Sequence, residues 1–236
     1  YGMRVGIWRL LDSLARHGVP VAAAINAQVC TSEYEPVARA LRDAQVEFMG
    51  HGVAQVPVGA LPDPGASIRQ AFDTLKAYTG VAPGGWLGPG LQETPETPDH
   101  LAAAGFRYVV DWALDEVPFL MKTATKPLAA MPYTLELSDL PMMVAHQHDS
   151  EVWLKRVIAQ FDRLYEEGAI RPRVMSMSVH PYIIGVPHRI GYFERALDHI
   201  LSKADVWFAR PGEICDWFVG DPAGVGPEII GKAWEA

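Results

Sequence analysis

The sequence predicts an α/β protein, an irregular (β/α) barrel of about seven parallel strands. Two observations support this prediction: short apolar, β-branched stretches alternate with segments of helical periodicity, and the links between them are short. Such alternation is typical of βαβ units and of a parallel sheet. The chain opens on a helical pattern, where a barrel opens on a strand, so we expect the first strand to lie outside this chain.

The N-terminal half alternates regularly. Apolar residues at helical spacing predict a first helix over residues 7–15, which stops at Gly18. Further strands are predicted over residues 19–26, 46–52 and 106–111, and further helices from Ser32, over residues 66–78, and from Thr97 to Gly105. The stretch 83–90 is too rich in glycine to form more than a short strand.

The C-terminal half is organised around His180. Residues 174–179 are apolar and β-branched, as in a buried strand, and Pro181 ends this strand because proline cannot donate to a sheet. Pro187 suits the first turn of the helix that follows over residues 190–201. His180 is therefore predicted at the carboxyl end of a strand, where catalytic groups collect in α/β proteins.

The other C-terminal elements are less regular. We expect residues 115–128 to be irregular, 131–137 to form a strand, 150–167 to form the longest helix, and 206–209 to form a last strand before a helix near Pro211. No repeat or linker divides the chain, so one domain is expected over residues 1–236, with its core at about 2–219 and a peripheral tail at 220–236.

Charge and cysteine content narrow the class of protein. The formal net charge is −8 and the pI is near 5.4, which argues against a nucleic-acid partner. Cys30 and Cys215 are far apart, as in a reducing compartment, and we predict a cytoplasmic protein. No apolar run reaches transmembrane length, so no membrane partner is expected. The aromatic content and the glycine-rich tail favour a homo-oligomer.

Polar residues at the carboxyl ends of successive strands should meet at one mouth of the barrel. The set resembles the inventory of a hydrolytic site and comprises Asn26, His51, Asp111, Glu136 or Asp139, His180 and Arg210. We predict His180 and Asp111 as catalytic residues, and either Asp111 or Asp139 as the carboxylate that orients His180. Substrate contacts are predicted from Trp86, Gly88, Trp112, Asp139 and Arg210, although the two tryptophans would serve equally to cover the end of the barrel.

Four segments together resemble the polysaccharide deacetylase (NodB-homology) family, which is carbohydrate esterase family four. They are residues 46–52 with His51, the glycine loop 85–90, residues 106–112, and residues 178–189, which begin Ser-Val-His-Pro. The similar branch is the one that includes cofactor-free allantoinases. The resemblance covers about residues 2–219 and implies a distorted (β/α) barrel that hydrolyses an amide C–N bond.

The resemblance assigns roles only where residues match. His51 matches the first of two metal-binding histidines, but Gln55 stands at the second position, and an amide is a poor substitute for imidazole on a zinc-like ion. A zinc-like divalent metal at His51 and no cofactor at all therefore both stay open. His180 matches the late histidine that protonates the leaving amine, because an amide nitrogen leaves badly unless it is protonated.

Two classes of function follow. The first is a hydrolase of a non-peptide C–N bond, acting on an N-acylated sugar as a deacetylase or on a small cyclic or linear amide, as an allantoinase does. The second is a barrel that binds a ligand without turnover. His51, His180 and a nearby carboxylate favour the hydrolase, whereas Gln55 and the expected absence of the first strand favour the binding protein.

Overall fold

The computed structural model describes residues 1–220 of the chain. Its strands are β1 (Ala22–Ile25), β2 (Glu47–Gly50), β3 (Gly85–Trp86), β4 (Tyr108–Val109), β5 (Phe119–Met121) and β6 (Leu128–Ala130). Its α-helices are α1 (Ile7–His17), α2 (Glu35–Asp43), α3 (Pro64–Thr79), α4 (Thr97–Ala104), α5 (Ser150–Gly168), α6 (Pro187–Leu201) and α7 (Pro211–Gly220). The predicted peripheral tail lies almost wholly in residues 221–236, outside the described residues.

The six strands form one sheet in the order β1-β2-β3-β4-β6-β5. Strands β1 to β4 and β6 pair in parallel, and β5 pairs antiparallel with β6 at one edge. The predicted α/β fold with a parallel sheet is confirmed. Closure of the sheet into a barrel, and a single domain over the whole chain, stay predictions.

The register of the sheet positions the residues that follow each strand. Ile25 pairs with Gly50, Gly50 pairs with Trp86, and Trp86 pairs with Val109, so the first four strands end level with one another. Because parallel strands share a direction, the residues just beyond these ends lie along one edge of the sheet. His51 is the first residue after β2 and lies at this edge.

Two helices pack near the loop that carries His180. Helix α6 begins at Pro187, and α1 packs against it. Gly6, just before α1, lies so close to the Pro181 carbonyl that a Cβ atom at this position would collide with it. The loop after His180 therefore rests directly on the start of α1, a contact that only glycine permits.

Two local predictions on the β5–β6 side are wrong. Residues 115–128 were expected to be irregular but contain β5 and the start of β6, joined by a tight turn in which the Thr123 hydroxyl donates to the Lys126 carbonyl at 2.6 Å. The strand predicted at 131–137 is replaced by β6, which ends at Ala130, and by a 3₁₀ turn over Leu135–Leu137. The polar residues of the turn gave this segment an irregular pattern in the sequence, although it forms a short hairpin of β5 and β6.

The predicted strands 174–179 and 206–209 are extended but belong to no strand of the described sheet. Residues 174–179 are half-buried, which corrects the expected burial on both faces. Side chains replace ladder bonds here: the Thr134 N–H donates to the Ser176 hydroxyl at 2.9 Å, and the Ser176 N–H donates to the Thr134 hydroxyl at 3.1 Å. In the second segment Trp207 is 59% exposed.

Within residues 1–220, none of the helices combines the length and the apolar character that crossing a membrane requires.

Candidate active site

His180 is held by a single buried carboxylate, that of Asp139. The imidazole Nδ1 lies 2.6 Å from Asp139 Oδ1, and the backbone N–H of His180 donates to Asp139 Oδ2 at 2.8 Å. Asp139 is fully buried, whereas the His180 side chain is 34% exposed. Because an ionised carboxylate only accepts hydrogen bonds, Nδ1 carries a proton, and Nε2 is the nitrogen left for chemistry.

The segment around Asp139 is tied to the His180 segment along its length. The Asp139 N–H donates to the Ser178 carbonyl at 3.1 Å. Two residues earlier in the His180 segment, Ser176 forms the two hydrogen bonds with Thr134 that are described above. At the start of the His180 segment, the Val174 N–H donates to the Glu116 carbonyl at 2.8 Å, which ties this segment to the stretch before β5. The bonds between Thr134 and Ser176 and from Asp139 to Ser178 fix the Asp139 and His180 segments relative to each other, so the carboxylate meets the imidazole without rearrangement.

His51 lies close to His180 at the edge of the sheet. Its Nδ1 is 2.5 Å from the Leu87 carbonyl, so Nδ1 is protonated and Nε2 is unprotonated in the neutral ring. Burial lowers the pKa of His51, and the nearby His180 lowers it further, while hydrogen bonds with Leu87 and Gln55 oppose the shift. The Asn26 side-chain amide donates to the His51 carbonyl, which joins the ends of β1 and β2.

Asp111 is not the carboxylate that pairs with His180. It follows β4, where its Oδ1 accepts from the Gly88 N–H at 2.6 Å and its other oxygen faces the Glu93 carboxyl. Burial and then the adjacent Glu93 raise the pKa of Asp111 well above its ordinary value. Gly88 is buried and its N–H is already used, so the structure does not support its predicted substrate contact.

The two tryptophans predicted to contact substrate lie in different surroundings. Trp86 is 1% exposed and packs edge-on against Phe106, with ring centroids 5.4 Å apart, so it is a core residue. Trp112 is partly buried, and its indole lies beside Glu93. Alternate side chains of a strand face opposite sides of the sheet, and the position of Trp86 in β3 places its side chain on the side that packs in the core.

Arg210 lies away from the two histidines. Its guanidinium is 3.8 Å from Glu213, and the neighbouring Gly212 N–H donates to the Glu47 carboxylate at 3.0 Å. Glu47 begins β2, whereas His51 follows its end, about 13 Å further along at 3.3 Å per residue. The structure therefore does not bring Arg210 together with His51, and its predicted substrate contact stays a prediction.

Asp139 was predicted to contact substrate and, as an alternative to Asp111, to orient His180; it is wholly enclosed and pairs with His180. Glu93 was not singled out at all, although a carboxylate directly after the glycine loop is a usable signal. His146 and His148, whose ring centroids are 6.0 Å apart, follow a π-helical turn, and both are solvent-accessible.

Candidate ligands for a zinc-like metal are few around His51 in the described residues. Within residues 1–220, no three side chains of the His, Cys, Asp and Glu types are grouped as metal ligands. His51 has only Gln55 as a neighbouring ligand candidate from its own loop. These two residues do not complete a zinc-like set, which needs at least three protein ligands.

The chain is similar to proteins that carry deacetylase names. No family model matches the sequence. A Schizosaccharomyces pombe protein that carries a polysaccharide deacetylase name is 26% identical over 245 residues, covering 94% of this chain and 75% of the relative. A peptidoglycan deacetylase of Helicobacter pylori is 23% identical and covers 91% of this chain and 84% of the relative.

Solved structures agree with these relatives. A "probable polysaccharide deacetylase" from Pseudomonas aeruginosa PAO1 is 30% identical with a TM-score of 0.84, covering 92% of this chain and 74% of that chain. Puue allantoinase is 27% identical with a TM-score of 0.87, and the match covers 94% of this chain and 75% of that chain. The family resemblance and the predicted hydrolysis of an amide bond are thereby confirmed. The chain belongs to the polysaccharide deacetylase family and is a hydrolase of carbon–nitrogen bonds other than peptide bonds.

Proposed function

We propose that the protein removes an acyl group from an N-acylated sugar, with His180 as the general acid that protonates the leaving nitrogen. The single observation that supports this role is the Asp139–His180 pair, with 2.6 Å between carboxylate and imidazole. This pair holds Nδ1, so Nε2 is the nitrogen left for proton transfer, on a ring that is 34% exposed and open to a substrate.

In the proposed reaction His180 begins as the imidazolium, with Nδ1–H on Asp139 and a second proton on Nε2. Water adds to the acyl carbon as one of its protons passes to Nε2 of His51, and the C–N bond breaks as the Nε2 proton of His180 passes to the leaving nitrogen. The proton on His51 then replaces the one that His180 gave up, so the products are a carboxylic acid and an amine. Asp139 stays ionised throughout and stabilises the imidazolium, as a buried carboxylate does in other histidine-dependent hydrolases. Asp139 is thus a positioning residue, and His180 is the catalytic one.

We propose that His51 receives the hydrogen bond of the attacking water at Nε2. Its lowered pKa keeps the ring neutral at pH 7, so this nitrogen has a lone pair available. The Leu87 carbonyl holds the ring from the opposite side. A neutral histidine and a proton-delivering histidine close together supply complementary steps of amide hydrolysis.

A second substrate class is a small cyclic amide, which would be opened at the same C–N bond. The observation that favours it is the likeness to Puue allantoinase, at a TM-score of 0.87 over 94% of the chain. Both classes use the same proton transfer from His180, so the chemistry proposed above does not depend on the choice.

The test is an assay of the purified protein on two substrates, acetate release from N-acetylglucosamine oligomers and ring opening of allantoin. Acetate release that His180→Ala abolishes supports the proposal, and allantoin turnover with the same dependence supports the second class. A folded protein that binds the oligomers with no turnover of either compound would favour a ligand-binding barrel.

We also propose a cytoplasmic location, supported by the two cysteines, which are buried and unpaired. Burial raises the pKa of Cys30 to about 11, so its thiol resists oxidation. Appearance of activity in the cytoplasmic fraction, and not in the secreted fraction, of the producing cells checks this location.

A further inference from the structure

Buried polar atoms without a hydrogen-bond partner cluster at one place in residues 1–220. The atoms are Ser13 Oγ, Trp86 Nε1, both carboxyl oxygens of Glu93, Asp111 Oδ2 and Trp112 Nε1. All but the serine surround the glycine loop that follows β3. A native protein rarely leaves such groups together without a reason, so this cluster requires an explanation.

The glycine loop connects this cluster to His51 through one peptide group. The Leu87 carbonyl accepts from His51 Nδ1 at 2.5 Å, and the Gly88 N–H donates to Asp111 Oδ1 at 2.6 Å. These two atoms belong to the same planar peptide unit, so neither can turn without the other. His51 and Asp111 therefore hold opposite sides of one rigid plane.

The other oxygen of Asp111 faces Glu93. Asp111 Oδ2 and both carboxyl oxygens of Glu93 are buried and have no hydrogen-bond donor among the described residues. Two adjacent negative charges repel each other strongly at a buried position, which favours one proton shared between the two groups. Burial raises the pKa of both side chains, in agreement with a shared proton. With one shared proton the pair carries one negative charge, and the Gly88 N–H donates to its Asp111 oxygen at 2.6 Å.

We propose that Asp111 is a positioning residue for His51: paired with Glu93, it holds the Leu87–Gly88 peptide so that the Leu87 carbonyl keeps the imidazole in the Nδ1–H tautomer with Nε2 toward His180. The inference rests on the proposed function only for the role of His51 toward the attacking water. The positioning itself is a property of the protein without substrate.

The physical link is polarisation of the peptide. An N–H that donates to a charged carboxyl pair makes the carbonyl oxygen of the same peptide more negative, and that oxygen becomes a better acceptor. A carbonyl oxygen accepts only, so the stronger the acceptor, the more the Nδ1–H tautomer is favoured over Nε2–H. Asp111 acts on His51 in this way without touching it.

Gly88 has the residue type that this arrangement needs. Its φ of −67° and ψ of 141° suit any residue, so glycine is not required by the backbone. A Cβ atom at this position would lie 2.8 Å from Asp111 Oδ2 and 3.0 Å from the Gln92 carbonyl. Gly88→Ala should therefore displace the Asp111 carboxyl, which gives a second and independent way to break the link.

The test is ¹⁵N NMR of the histidine side chains in the whole 236-residue chain, with the His51 signals assigned by their loss in His51→Ala. In the wild type we expect Nδ1 protonated and Nε2 unprotonated. Asp111→Leu removes the acceptor and should raise the Nε2–H share by about threefold or more. Asp111→Asn keeps an oxygen acceptor for the Gly88 N–H and should retain the wild-type tautomer.

Glu47→Gln is the matched control, because Glu47 also accepts from a glycine N–H, that of Gly212, but at the other end of β2. It should leave the His51 signals unchanged. A folded Asp111→Leu protein with the wild-type tautomer would overturn the proposal, and Gly88→Ala decides in the same way if Asp111→Leu does not fold. The NMR result needs no substrate, so it stands apart from any failure to find amidase activity.

Discussion

The carboxylate of Asp139 accepts two hydrogen bonds from one residue, His180: one from the imidazole Nδ1 at 2.6 Å and one from the backbone N–H at 2.8 Å. Both donors belong to the same residue, so the ring is fixed relative to its own backbone. The side chain keeps one orientation before substrate arrives, which lowers the cost of reaching the productive geometry.

The first prediction concerns His180. His180→Ala removes the general acid, and we expect kcat to fall by about 10²–10⁴-fold while the fold survives. The measurement is steady-state kinetics on whichever amide is turned over. His199→Ala is the matched control, because His199 also pairs with an aspartate, at 2.7 Å, but this pair joins helix α6 to Asp162 on helix α5. Equal activity of the His180→Ala and wild-type proteins would remove His180 from the mechanism.

The second prediction concerns Asp139→Asn. An amide presents one oxygen and one NH₂ to two donors, so one of the two bonds to His180 is lost and the imidazole favours the other tautomer. We expect kcat to fall by roughly 10²-fold or more, as for other carboxylates that orient a catalytic histidine. Asp162→Asn makes the same change beside His199 and should leave kcat unaltered. Comparable losses in both variants would indicate a general effect on stability.

The third prediction concerns metal affinity. His51 has no second imidazole in its loop, since Gln55 occupies that position, and we expect zinc to bind weakly. Gln55→His should tighten zinc binding by about tenfold or more, measured by competition with a coloured chelator. The double variant His51→Ala/Gln55→His should lose that gain. One zinc per wild-type chain that persists through dialysis against a chelator would contradict the prediction.

The fourth prediction is a pH dependence of stability that arises from Glu93 and Asp111. Burial raises the pKa of both above their ordinary values of 4.5 and 3.8. Below those values the folded and unfolded states are equally protonated, and the contribution of the pair to stability is fully present. As the pH rises, the unfolded state releases its protons first, so stability is lost until the pH passes the folded-state pKa values.

Glu93→Gln should therefore gain thermal stability relative to the wild type as the pH rises from 4 to 8, by on the order of 2–4 °C. Melting temperatures measured across this range check the result. Glu96→Gln changes an exposed glutamate on the same loop. Its melting temperature should vary with pH in the same way as that of the wild type. A constant difference between Glu93→Gln and wild type at every pH would show that the pair shares no proton.

The fifth prediction is self-association. Trp8 and Trp207 are 42% and 59% exposed, which leaves large apolar surfaces for a second copy to cover. We expect light scattering at micromolar concentration to give the mass of a symmetric homo-oligomer. A monomer mass over that range would exclude it.

Local signals predicted much of this protein. The proline after residues 174–179 marks the end of an extended segment whatever the chain does elsewhere, and this is why His180 was found from sequence. The helical spacing of apolar residues and the glycine that ends a helix are also local signals. For this reason α1, α3 and α6 occur close to where they were expected. His51 was found because it follows the end of a recognisable strand.

The sequence by itself thus determined the fold class, the family and the two histidines, because each depends on neighbours within a few residues. Only the tertiary structure decided the partners. Asp139 and Asp111 were equal candidates for His180, and 41 residues separate His180 from the carboxylate that binds it. Which carboxylate reaches the ring depends on how distant segments pack, as does the pairing of Asp111 with Glu93 and Gly88. Long-range packing has no signature in a local pattern, and for that reason the roles of these carboxylates came from the structure alone.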